Sequence, residues 1–249
     1  NGFKVRALAQ YNSFNNWGWL EDINCQNDVE IIAGDIRDPF FCQKLCKDVD
    51  TIFHLAALIA IPYSYVAPQS YVETNITGTL NVCKAALDNN VSRVIHTSTS
   101  EVYGSAQYVP IDECHPLQAQ SPYSASKIGA DAMAMSYYNS FDLPLTIARP
   151  FNTYGPSMDP NDGRVVSNFI MQALNNEKIT IYGDGSQTRS FCFVDDLINA
   201  FVKLMNSEDG LRGPINLGNP FEFSVEELAI MIIELTSSKS KLCYQPLPA

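Results

Sequence analysis

Arg93-Val-Ile-His-Thr-Ser-Thr-Ser-Glu-Val-Tyr-Gly104 opens as a short apolar strand and breaks off into hydroxyls, a carboxylate and a glycine. A run of this kind fits a strand buried on both faces. In open parallel sheets ligands bind beyond the carboxyl ends of the strands, so the polar residues that follow are where chemistry is expected. Working outward, similar strand-like runs stand at 4–9, 29–33, 51–55 and 144–148. Helix-like segments, with apolar residues every three or four positions, lie at 68–89 and 123–141. The alternation predicts an α/β fold, a doubly wound parallel sheet with helices on both faces.

After Pro150 the texture changes. Residues 152–164 are dense in Gly, Pro, Asn and Asp, a long loop of the kind that is more often functional than idle. Helices are expected over 165–175 and 195–205, and strands over 179–182 and 214–217, with a turn at Gly183-Asp184-Gly185. A further helix begins at Ser224, where Ser224 and Glu227 form an S-x-x-E capping box.

The 249 residues are 46% apolar and 17% charged, ample for a core, which excludes a disordered chain and a disulfide miniprotein. Sixteen Lys and Arg against 27 Asp and Glu leave a net charge of -11, which repels nucleic acid and anionic membranes. A small anion can still bind at a locally basic pocket. No apolar run approaches the roughly 18 residues a membrane helix needs. The seven cysteines (Cys25, Cys42, Cys46, Cys83, Cys114, Cys192, Cys243) contain no C-x-x-C. Cys42 and Cys46 are spaced i, i+4, but nothing completes a metal set, so no metal is expected. Reduced thiols and the lack of a signal-peptide pattern point to the cytoplasm.

Tyr123-Ser-Ala-Ser-Lys127 stands at the start of a predicted helix. Four residues apart, a phenol and an ammonium share one face, so the lysine can favour the phenolate. Free tyrosine titrates near 10 and a useful base works near 7, so roughly 4 kcal/mol must come from Lys127 and a cationic cofactor.

These segments recur in order with Gly34-Asp-Ile-Arg-Asp38, His54-Leu-Ala-Ala57, Asn75-Ile-Thr-Gly-Thr79, Arg149-Pro-Phe-Asn152, Tyr154-Gly-Pro156 and Arg189 before Phe191. Together they resemble the extended short-chain dehydrogenase/reductase family, the NAD-dependent nucleotide-sugar epimerases and dehydratases. The resemblance implies a Rossmann-type, NAD-binding domain over 1–155, with a return segment near 190–218. A smaller α/β substrate-binding lobe over 156–249 would be interleaved with it. It implies a triad of Thr99, Tyr123 and Lys127, with Ser100 and Glu101 beside it. Asp35, Ile36, Leu55, Ala56, Ala57, Asn75, Thr97, Tyr123, Lys127 and Pro150 would line the NAD site. Asn152, Arg164, Val165, Asn168, Tyr182 and Arg189 would hold a UDP-sugar, Arg189 being the best fork for a diphosphate. Relatives dimerise through the helices at 68–89 and 123–141, which implies a homodimer. Asn75 also reads as a structural link from helix to sheet, His54 as a core histidine, and Asp38 as a helix N-cap.

Glu101 separates the subclasses. A carboxylate here suggests chemistry at C5, beside a transient C4 ketone. Residues 11–19 and 121–131 look like UDP-N-acetylglucosamine 4,6-dehydratases, whereas 161–169, 185–189 and 216–220 look like UDP-glucuronate decarboxylase. The leading expectation is a UDP-sugar 4,6-dehydratase; the alternatives are the decarboxylase, an epimerase, or a silent nucleotide-sugar-binding module. Three departures from the pattern stand out. The family's first strand and glycine-rich loop are expected to precede Asn1, and the Pro246-Leu-Pro248 ending resembles a point where decarboxylases continue. Ala9 or Gln10 stands where an acid meets the ribose. Ser100 replaces the aspartate general acid of deoxythymidine-sugar dehydratases.

Overall fold

The structure, a computed structural model, describes residues 2–22, 28–160, 163–208, 211 and 213–246. Cys25, Asn161, Asp162, Leu247 and Pro248 lie outside the described residues. The chain divides into two units, Asn1–Ala148 with Leu204–Ile215, and Arg149–Lys203 with Asn216–Ala249.

The first unit begins with β1 (Val5–Gln10) and β2 (Val29–Gly34), paired in parallel from Val5 opposite Val29 to Gln10 opposite Gly34. Asp38 ends the following turn. Its carboxylate accepts from the backbone N–H groups of Phe40 (2.9 Å) and Phe41 (3.2 Å) and starts α1 (Pro39–Leu45), with Pro39 in the first turn, where a missing N–H costs nothing. β3 (Thr51–His54) leads to α2 (Ile61–Val66) and α3 (Pro68–Tyr71). A π-helical segment, Val72–Thr77, joins α3 to α4 (Gly78–Asp88). The single helix expected over 68–89 is therefore α, then π, then α. Widened turns of this kind frequently sit at functional positions.

β4 (Arg93–Thr97) follows, then a 3-10 turn over Ser100–Tyr103, α5 (Pro122–Phe141) and β5 (Leu145–Pro150). Ser121 and Ser124 form a reciprocal capping box that fixes where α5 begins. β3, β4 and β5 run parallel, with His54 opposite His96 and Thr97 opposite Ala148. Cys83 and Ala86 of α4, with Ala134 and Tyr137 of α5, bury Val94, Leu145 and Ile147 of the sheet. A second cluster joins Ile36, Cys42 and Cys46 to Val82 and Ala85 of α4.

The chain continues with β6 (Thr153–Tyr154), α6 (Val165–Leu174), β7 (Ile179–Tyr182), β8 (Thr188–Ser190) and β9 (Cys192–Phe193) in the second unit, and α7 (Val194–Met205), whose last two residues belong to the first. β10 (Ile215–Leu217), β11 (Glu222–Ser224), α8 (Val225–Thr236) and β12 (Leu242–Gln245) complete the chain. β12 lies parallel to β7, and α6 and α8 cover that pair through Phe169, Ala173, Ala229 and Ile232. Ser224 and Glu227 make the capping box their spacing predicts. The four-stranded sheet runs in the order β10-β5-β4-β3, an α/β architecture with a parallel core. No helix among the described residues is long and apolar enough to cross a membrane.

Burial pushes the thiols of Cys42 and Cys83 up to about 12 and that of Cys46 to about 11. Because their folded values exceed the unfolded value, this stability is complete below the ordinary thiol range and lost as pH rises through the folded values. Lys127 acts oppositely: burial lowers it to about 8, so its contribution improves between that value and 10.5. Three thiols outweigh one ammonium. Melting temperature is expected to fall steadily above about pH 9. A Tm that stays flat into strong alkali would contradict burial of the three sulfurs.

Candidate functional site

The site in the first unit is built where β4 ends. Thr99, in extended conformation, caps the 3-10 turn by accepting from the Glu101 N–H at 3.2 Å. Ser100 is half-buried and Glu101 is exposed, so the turn presents a hydroxyl and a carboxylate side by side. Gly104 closes the turn at φ 65°, and a Cβ there would stand 2.4 Å from the Gln118 carbonyl, so only glycine fits.

α5 brings Tyr123 and Lys127 to this edge, 7% and 4% exposed. The Tyr123 ring stands edge-on to Tyr71 at 6.3 Å between centroids. Lys127 Nζ donates to the Thr97 carbonyl at 2.6 Å. Burial pulls the ammonium down to about 8, opposed by the charge of Asp131. Thr97 Oγ1 is buried and has no hydrogen-bond partner. An unpaired hydroxyl at the carboxyl end of a central strand suits a polar ligand, since leaving it unsatisfied costs about 1–3 kcal/mol.

Asn75 lies in the π segment and is buried. Its Oδ1 accepts from Leu58 N–H (2.8 Å), and its Nδ2 donates to the Leu58 carbonyl (3.0 Å) and to Ser126 Oγ (2.9 Å). One side chain thus ties the loop after β3, which carries Leu55, Ala56 and Ala57, to α5. Leu55 is exposed, and the two alanines are half-buried. His54 is 5% exposed and its Nε2 lies 3.0 Å from Thr79 Oγ1.

Arg37 occupies both oxygens of Asp35, its N–H and Nε each donating at 2.9 Å, and this holds the carboxyl below its usual range. Ile36 is 4% exposed and packs into the core, where a Cβ on Gly78 would stand 2.4 Å from its Cδ1. Its side chain docks α4.

In the second unit, Pro150 is half-buried at the end of β5. Asn152 is tethered to the segment carrying Arg189: its Nδ2 donates to the Ser190 carbonyl (3.1 Å), and its own carbonyl accepts from Cys192 N–H (2.9 Å). Arg189 is exposed in β8 and donates to the Thr188 carbonyl at 2.8 Å. Arg164 is exposed at the N-cap of α6, with its carbonyl accepting from Asn168 N–H (3.0 Å). Val165 begins the same helix and packs on the α6–α8 core. Tyr182 is 47% exposed at the end of β7.

Sequence reasoning passed over Asp131, Ser98 and His96, which lie buried behind Lys127. Asp131 stands four residues beyond Lys127 and eight beyond Tyr123, and that helical spacing was the available signal.

With this geometry established, the model of the GDP-mannose 4,6 dehydratase family matches residues 1–242. The chain belongs to that family. This member of the GDP-mannose 4,6 dehydratase family is 40% identical over 224 residues to UDP-glucuronic acid decarboxylase 4 of Arabidopsis thaliana, covering 88% of this chain and 49% of the relative. The chain spans about half the length of the curated relatives it matches. A UDP-N-acetylglucosamine 4-epimerase from Methanobrevibacter ruminantium, in complex with UDP-N-acetylmuramic acid, is similar with a TM-score of 0.90 and 32% identity, over 98% of this chain and 78% of that one. A UDP-glucuronic acid 4-epimerase from Bacillus cereus, in complex with UDP-glucuronic acid and NAD, is similar with a TM-score of 0.85 and 27% identity, over 98% and 78%. The family is one of NAD-dependent nucleotide-sugar enzymes. Between the two main expectations from sequence, these relatives favour the decarboxylase over the 4,6-dehydratase.

Proposed function

We propose that this chain carries the catalytic core of an NAD-dependent UDP-sugar enzyme, a UDP-glucuronate decarboxylase. The buried Lys127 ammonium, hydrogen-bonded to the end of β4 on the helix face of Tyr123, supports the acid–base chemistry, and the 40% identity to a UDP-glucuronic acid decarboxylase supports the choice of reaction. The residues fit a dinucleotide: the unpaired Thr97 hydroxyl and the lysine offer polar contacts at the strand end. With them, Asp35, Ile36, Leu55, Ala56, Ala57, Asn75, Tyr123 and Pro150 are the residues proposed to hold NAD. When bound, NAD supplies a reversible acceptor for the hydride of sugar C4.

Tyr123 takes the C4 hydroxyl proton, and Lys127 lowers the cost of the phenolate. Thr99, with Ser100 beside it, orients that hydroxyl. The C4 ketone lies β to the C5 carboxylate, so the C5–C6 bond breaks, carbon dioxide leaves, and the electron pair stays as an enolate. Exposed Glu101, resupplied with a proton from solvent, would then protonate C5, and Tyr123 would return its proton to the C4 oxygen once C4 has regained its hydride. Asn152, Arg164, Val165, Asn168, Tyr182 and Arg189 are proposed to hold uridine and diphosphate, Arg189 through its guanidinium fork. Homodimerisation belongs to the same reading, supported by exposed Tyr65, Val66 and Val72 flanking and entering the long helix. A cytoplasmic site of action is supported by free thiols at all described cysteines.

Incubation with UDP-glucuronate is expected to release carbon dioxide and leave a UDP-pentose. UDP-N-acetylglucosamine is expected to stay unchanged. A 4-keto-6-deoxy product from the latter, without carbon dioxide from the former, would return the dehydratase reading.

A further inference from the structure

Tyr123, Lys127 and Asp131 follow one another at four-residue spacing along α5, and all three are buried, at 7%, 4% and 3% exposed. Asp131 is the one carboxylate in the buried set among the described residues. Three consecutive residues at the end of β4 meet this helix face. Thr97 accepts from Lys127 Nζ at 2.6 Å, Ser98 Oγ donates to Asp131 Oδ2 at 2.9 Å, and His96 Nε2 lies 3.3 Å from Asp131 Oδ1. Behind them the His54 ring stands 5.3 Å from that of His96.

We propose that Asp131 is a positioning residue whose buried negative charge keeps Lys127 cationic and so sets the proton affinity of Tyr123. The proposal rests on the acid–base reading of Tyr123 and Lys127. A buried charge needs a partner, and the His96 imidazole stands beside this one as well as Lys127. Burial holds both histidines below their usual range. For His54 the neighbouring His96 and Lys127 add to the effect; for His96, Asp131 partly opposes it. Burial thus works against a charged imidazole at either position, while the charge of Asp131 works in favour of the Lys127 ammonium. The other groups around this face are Tyr71, edge-on to Tyr123, the uncharged Asn75 and Thr79, and Glu101 on the exposed turn.

Even with Asp131 in place, burial leaves Lys127 at about 8. Without that charge the ammonium gives up its proton more readily still, and Tyr123 loses electrostatic support.

The test is the ultraviolet titration of the Tyr123 phenolate in substrate-free protein, read as the difference from Tyr123→Phe. Asp131→Asn is expected to raise the midpoint by about one to two units, and Asp131→Glu to restore it. An unmoved midpoint in a folded Asp131→Asn protein overturns the proposal. Should Asp131→Asn fail to fold, carbon-13 NMR of the wild-type Asp131 carboxyl decides. A carboxylate ionised across the neutral range supports the proposal, and one protonated there overturns it. Turnover of UDP-glucuronate is followed in parallel. A shifted midpoint in a protein that never turns over UDP-glucuronate sinks the enzymatic reading alone. An unmoved midpoint in an active enzyme sinks the role of Asp131 alone.

Discussion

Tyr123→Phe is expected to lower kcat by about 1,000-fold or more while leaving nucleotide affinity and melting temperature close to wild type. The substitution removes one oxygen and keeps the ring that packs edge-on against Tyr71, so no cavity opens. What is lost is the group that takes the C4 proton, and without that transfer C4 cannot become a ketone or the C5 substituent labile. Because the loss falls on the chemical step, KM should change little. Steady-state kinetics beside calorimetric titration with UDP separate the two quantities. Turnover within tenfold of wild type would remove Tyr123 as the base.

The second large effect is on stability, and it comes from Lys127→Met. Shape is nearly kept, but the Asp131 carboxylate stays buried without its cation, a cost of about 3–5 kcal/mol when one member of a buried pair is removed. The Thr97 carbonyl loses its 2.6 Å donor as well. Adding Asp131→Asn removes the stranded charge, so the double variant is expected to regain most of the lost Tm. Activity stays absent in both, since neither supports a Tyr123 phenolate. Such non-additivity measures the coupling between the two groups. A double variant no more stable than Lys127→Met would show that the two charges do not interact.

The expected strands over 29–33 and 51–55 and the expected helices over 165–175 and 195–205 appear within a residue or two of their expected ends, because periodicity and capping act over a few neighbours. Asp38 and Ser224 were legible for the same reason: each cap is satisfied by N–H groups two or three residues away. The helix expected over 68–89 hid its π segment, which surrounds Asn75. The partners of Asn75, Leu58 and Ser126, lie 17 and 51 residues away, and no local pattern announces them. Asp35 was legible as a polar residue after β2, but its pairing with Arg37 emerged only from the folded turn.

The sequence by itself determined the α/β alternation, the phenol and ammonium on one helix face, and the polar turn after β4. These depend on residue type and spacing, which a linear chain carries in full. Only the tertiary structure decided which of these groups are dry and what stands beside them. Ser98 reaches Asp131 across 33 residues, and burial rather than composition lowers Lys127 to about 8. Desolvation and long-range charge pairing exist only after the chain has closed on itself, so the electrostatic setting of Tyr123 could be read only from the fold.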